Sequence, residues 1–209
     1  MSRLFPEPHV IKLAPADGGV DALNAKDPPK GKVIVVLPNH FVRYALVPWS
    51  AALSGAAEES AYVRHHFVRI YGERAKAWSF RASPSSGGAP RLCSAVDTAL
   101  IEELKKIFSR GKGKLVSVQP ELMATFNRWR GKVPAAGAWL VMAQPERACI
   151  GLHAKGNWQA VQNARGDWLA LLERERHRIG GALPDLVLLH SPEGVASDAP
   201  GWKLQRLAA

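Results

Sequence analysis

The residues best suited to recognition chemistry are Arg128, Trp129 and Arg130, a flat aromatic between two guanidinium groups. They end an expected helix just before the Gly-Lys-Val-Pro-Ala-Ala-Gly stretch at 131–137. Trp and Arg dominate interface energetics, because one fills a pocket and the other pairs with carboxylates. Arg128, Trp129 and Arg130 are therefore the expected partner-binding residues. A tryptophan that only packs a seam between two lobes, or that stacks on a base, is the competing reading. Other reactive side chains form no complete set. His65 and His66 are adjacent on an expected helix and so do not share a face. Cys93 and Cys149 fall on separate strands, with no base implied near either, and free cysteine is usually a small buried hydrophobe. Asp97, Asp167 and Asp185 suit caps and turns, whereas a two-metal nuclease needs several carboxylates clustered on one sheet. No catalytic, metal or cofactor-binding residues are expected.

Composition narrows the class. The chain has 209 residues, 47% of them apolar, which suits one domain or two small lobes sharing a core. Its longest apolar stretches, such as Val33–Pro38 and Leu186–Leu189, are strand-sized, well short of the roughly 20 residues a membrane helix needs. The first residues lack the apolar core of a secretory signal. With two cysteines and no Cys-x-x-Cys pair, a reducing cytoplasm is the natural setting. The net charge of +10 favours acidic partners, and its spread along the chain supports only weak, sequence-independent nucleic-acid binding.

The elements that must position these residues alternate between strand and helix. Residues 1–31 read as an irregular segment, with a short strand at Val10–Leu13 and turns at Asp17-Gly18-Gly19 and Asp27-Pro28-Pro29. Strands follow at Val33–Leu37 and Phe41–Val47. Next comes a helix in which Val63, Phe67, Ile70 and Tyr71 recur at helical spacing, ending at Gly72. Ala75–Arg81 and Leu92–Val96 read as strands around the Ser83–Pro90 loop. Asp97 caps a helix with an apolar stripe at Leu100, Ile101, Leu104, Ile107 and Phe108. Leu115–Val118 is a strand and Pro120 opens the helix Glu121–Trp129. Beyond the linker, 139–142, 147–153 and 158–162 form a three-strand meander. A helix capped by Asp167, the buried strand Leu186–Leu189 and an edge strand near Trp202–Leu207 complete the chain. Trp78, Trp139 and Trp158 are expected in the core. The expected organisation is thus an irregular 1–31, a first α/β lobe over 32–130 and a second lobe, β-β-β-α-β, over 138–209.

Val35-Val36-Leu37-Pro38, a second strand ending Leu46-Val47-Pro48, a Glu-containing helix, a strand pair and then Ser94-Ala95-Val96-Asp97 opening a helix resemble one family group. It comprises the cytoplasmic actin-like domains of type II secretion protein L and type IV pilus assembly protein M. Leu115-Val116-Ser117-Val118-Gln119-Pro120-Glu121 resembles the strand-to-helix junction closing the first half, and the meander at 138–163 resembles the strands opening the second. The resemblance spans roughly residues 33–190. It implies an α/β, two-lobed actin-like (ribonuclease H-like) architecture with mixed sheets. It also implies a cytoplasmic scaffold, peripheral at the inner membrane, that holds a protein segment of an inner-membrane assembly component.

In nucleotide-binding members of that fold an Asp-x-Gly turn joins the first two strands of a lobe, where backbone N–H groups and a carboxylate hold phosphate and metal. Here the turn reads Ala143-Gln144-Pro145-Glu146-Arg147, with no glycine and one N–H removed by Pro145. The Gly-Gly turn expected near an adenosine is replaced by His190-Ser191-Pro192-Glu193-Gly194. The sequence therefore points to a non-enzymatic scaffold of a pilus or secretion assembly that binds no cofactor and offers a groove or sheet edge to a partner segment. A basic nucleic-acid-binding module of ribonuclease H-like fold is the alternative.

Overall fold

The computed structural model describes residues 7–13, 20, 23, 29–191 and 199–208. Three sheets organise them. In the first, β1 (His9–Lys12), β2 (Gly31–Leu37) and β6 (Gly113–Pro120) run parallel in the order β1-β2-β6. The central strand β2 is the apolar Val-Ile-Val-Val-Leu run, as a strand covered on both faces requires. The second sheet is antiparallel, with β3 (Arg43–Val47), β5 (Arg91–Asp97) and β4 (Trp78–Ala82) in the order β3-β5-β4. The third has the order β11-β10-β7-β8-β9. It combines the meander β7 (Ala138–Gln144), β8 (Arg147–Ala154) and β9 (Asn157–Arg165) with parallel β10 (Leu186–His190) and β11 (Lys203–Arg206).

Four helices cover these sheets among the described residues: α1 (Ala56–Tyr71), α2 (Thr98–Arg110), α3 (Glu121–Trp129) and α4 (Trp168–Ile179). The Asp97 and Asp167 caps form as expected, Asp97 accepting from Ala99 N and Asp167 from Leu169 N and Ala170 N. α1 buries Val63 and Phe67 against the antiparallel sheet, but Ile70 is 53% exposed. Periodicity alone drew the apolar face of this helix one residue too wide. The segment expected as a strand over Ala75–Arg81 begins as a 3-10 turn, Glu73–Ala77, and β4 starts only at Trp78. β3 follows β2 in sequence but leaves its sheet, so the two do not pair as a hairpin. Trp139 and Trp158 are core residues, whereas Trp78 is only partly buried, on β4.

One continuous core joins the halves. Val33, Leu104 and Leu122 pack in the same cluster as Leu140, Cys149 and Leu188. Gly137 leads the chain into this core at φ +104°, a conformation that L side chains rarely adopt. A Cβ there would lie 2.5 Å from Ala154 Cβ and 2.8 Å from the His153 carbonyl oxygen. Gly137→Ala is expected to lower the unfolding free energy by about 2–3 kcal/mol, from backbone strain and overpacking together. Urea denaturation reads this directly.

Candidate partner-binding groove and the interlobe cleft

The carboxyl ends of the parallel strands meet in a cleft, the place where open α/β sheets generally bind ligands. From the N-terminal sheet come Lys12 at the end of β1, Asn39 just after β2, and Glu121 directly after β6. From the C-terminal sheet come Met142 on β7 and its register partner His190 on β10. Glu121 is 3% exposed and holds the cleft shut. Its carboxylate accepts from Asn39 N at 3.2 Å and Asn39 Nδ2 at 3.1 Å, and pairs with Lys12 Nζ. Tyr44 OH donates to Asn39 Oδ1 at 2.9 Å. Asn163 on β9 donates through Nδ2 to the carbonyls of Asn39 (2.6 Å) and Val42 (2.9 Å), and Arg147 donates to Asn163 Oδ1. A polar chain thus runs from Lys12 to Arg147, across both halves.

Among the described residues, the cleft offers little room for a nucleotide. Its cavity is about 180 Å³, below the roughly 300–1,000 Å³ of pockets that bury small ligands. The fixed Glu121 carboxylate in its wall would repel phosphate. Pro145 and Glu146 form the tight β7–β8 turn. Asp17-Gly18-Gly19 and Pro192-Glu193-Gly194 lie outside the described residues. Burial, then Lys12, lowers the pKa of His190, so its imidazole stays neutral beside the cation. Among the described residues no group of His, Cys, Asp and Glu is arranged to hold a metal. Cys93 and Cys149 are buried; burial pushes Cys93 up to about 12, and burial together with the Glu121 charge pushes Cys149 well above the usual thiol range. Neither is an activated nucleophile.

A far larger opening, about 1030 Å³, lies between α1 and the antiparallel sheet on one side and α2 with β6 on the other. β6 contributes the unbroken run Gly113–Val118 to its lining, and β4 contributes Trp78–Arg81. Side chains alternate along a strand, so a strand that lined the groove with one face would contribute every second residue. Consecutive residues mean that the strand edges border the groove. Both strands are sheet edges with a neighbour on one side only. Val33 pairs with Leu115 and Ile34 with Ser117, which leaves Val116 as a bulged extra residue. It is 44% exposed in the groove. The lining includes five cations, Arg64, Lys76, Arg81, Lys105 and Lys114, and no carboxylate. Glu73 pairs with Lys76 and Glu102 with Lys105. Arg64 and Arg81 are instead held by main-chain carbonyls, donating to Lys76 O and Phe80 O.

Arg128, Trp129 and Arg130 do not line this groove. Trp129 is partly buried on the shared core, with the Arg128 guanidinium 5.2 Å and Lys132 Nζ 4.6 Å from its ring centroid. Arg128 is close enough to His190 to help lower its pKa, so this cluster flanks the cleft side of the molecule. Sequence reading passed over Val116 and Glu121 as an ordinary strand residue and an ordinary helix start. Their roles come from pairing and tertiary contact, which no local pattern encodes.

No protein-family model matches the sequence, and no curated protein is similar to it at a significant level. Solved structures are similar in fold. The cytoplasmic domain of EpsL, an inner membrane component of the type II secretion system of Vibrio cholerae, superposes with a TM-score of 0.56 at 16% identity, covering 91% of this chain and 76% of that one. A chain of the PilM-PilN type IV pilus biogenesis complex superposes with a TM-score of 0.60 at 16% identity, covering 84% and 69%. The helix-covered mixed sheets described above are those of the actin-like, ribonuclease H-like fold shared with these proteins.

Proposed function

We propose that this protein is a non-enzymatic scaffold of a type IV pilus or type II secretion-like assembly, held on the cytoplasmic side of the inner membrane by a segment of an inner-membrane partner. The observation that carries this reading is the groove: an opening of about 1030 Å³ bordered by two open strand edges, suited to an extended segment. The fold likeness to a protein solved in a pilus biogenesis complex supports the assembly context. The buried Glu121 carboxylate in the wall of the cleft supports a role without nucleotide turnover. Among the described residues no helix is long and apolar enough to cross a membrane. Arg128, Trp129 and Arg130, outside the groove lining and on the cleft side, are proposed as a second, flanking contact for the partner.

Site-specific photo-crosslinking in the native cell tests this. A photoreactive residue at Val116 is expected to join the protein to one inner-membrane protein. The same group at Ile70, exposed on α1 outside the groove lining, is expected to give no such product. Crosslinking at Trp129 reports on the flanking contact. Absence of a product from Val116, or the same product from Ile70, would remove the groove from the proposal. The basic lining also suits a nucleic-acid strand, and recovery of nucleic acid instead of protein at Val116 would favour that reading.

A further inference from the structure

We infer that the groove takes an acidic segment that adds to β6 as an extra strand. This rests on the proposed role of the groove and names the chemistry of its occupant. Three observations on β6, β4 and α1 carry it.

First, the edge of β6 is bounded by free space along Gly113–Val118, and an added strand needs main-chain groups in an accessible row. Second, the charge is one-sided. The cations Arg64, Arg81 and Lys114 reach the groove with no ion-pair partner among the described residues, and no acidic side chain lines it. Main-chain carbonyls hold the two guanidinium groups, which retain unused N–H donors for a carboxylate. Third, the edges are guarded selectively. Soluble proteins protect open edges with charge, bulges and short length. Here Lys114 and the Val116 bulge guard β6, and Arg81 guards β4. These guards repel another basic edge, including that of a second copy of this chain, whose net charge is +10. An acidic strand meets the same cations as partners. The bulge turns Val116 into the groove, where it can contact an apolar side chain that alternates with the acidic ones.

The test uses the whole chain and a fluorescent eight-residue peptide of alternating Glu and Val, matched to the eight residues of β6. Comparison peptides replace Glu by Lys, replace Glu by Ser, or carry N-methyl groups on alternate residues in either phase. The Glu-Val peptide is expected to bind. The Lys peptide, the Ser peptide and one of the two N-methylated phases should each bind at least about tenfold more weakly. Unimpaired binding of both N-methylated peptides would overturn strand addition. Equal binding of the Ser peptide would overturn recognition of acid. Both of those results leave the groove reading intact. If the Glu-Val peptide binds equally well to R64E/R81E, or is displaced by oligothymidylate of similar length, the inference is wrong. If no peptide binds, it also falls, and the Val116 crosslink then decides whether the groove reading falls with it.

Discussion

Replacing Glu121 by alanine is expected to lower the unfolding free energy by about 3–5 kcal/mol, the range seen when one partner of a buried charged network is removed. The carboxylate accepts from the main-chain N–H and the side-chain amide of Asn39, a residue only 1% exposed. Without it two buried donors lose their acceptor, and each such loss costs about 1–3 kcal/mol. Lys12 contributes less, because its side chain is 51% exposed and water can replace the pair. The order of effects should therefore be Glu121→Ala above Glu121→Gln, with Lys12→Met smallest. Thermal unfolding should show the alanine variant melting on the order of 10 °C lower. A fall of less than about 1 kcal/mol would mean that the network does not hold the halves together. Because Glu121 directly follows β6, crosslinking from Val116 in this variant should track its folded fraction.

The double substitution Arg64→Glu with Arg81→Glu is expected to weaken partner binding by about a hundredfold at low salt. Both side chains line the groove, and both sit outside the buried core. Stability should change by no more than about 0.5 kcal/mol per site, as for most surface substitutions. The wild-type complex should weaken as salt rises, and the double variant should respond less. Titration calorimetry with the captured partner segment reads both effects. Unchanged affinity in a folded double variant would show that the groove cations are a solvated surface and nothing more.

The comparison of Val116 with Trp129 shows how much was legible in the sequence. The strand and helix order could be read because each element carries a local signal. Asp97 and Asp167 mark helix starts, the Val33–Leu37 run marks a buried strand, and the 138–163 pattern marks a meander. The actin-like architecture came from the resemblance that their order, with motifs such as Ser94-Ala95-Val96-Asp97, carries to a known family group. Sheet membership was less accessible. β3 follows β2 in the chain yet pairs with β5, and nothing local to Pro38-Asn39 distinguishes a hairpin from an exit to another sheet. The groove was hidden for the same reason. Arg64, Arg81 and Lys114 lie on three different elements and read as scattered surface charge until the fold gathers them. Trp129 attracted notice by its residue type, but in the structure two cations lie over its ring and part of it is buried on the core. Glu121 looked like an acidic residue in a first helical turn, which is favourable in its own right. Only the approach of Asn39, 82 residues away in sequence, gives it a structural role.

The central claim is that the groove beside β6 seats the partner segment, and amide hydrogen exchange tests it most directly. The measurement compares the free protein with the protein saturated by the segment recovered through Val116. Added protection is expected within Gly113–Val118, where exchange from the outward-facing amides should slow by at least about tenfold. Residues 138–165 should be unchanged. Protection confined to Arg128–Lys132, or to the cleft at Lys12 and His190, with β6 exchanging as in the free protein, would contradict the account.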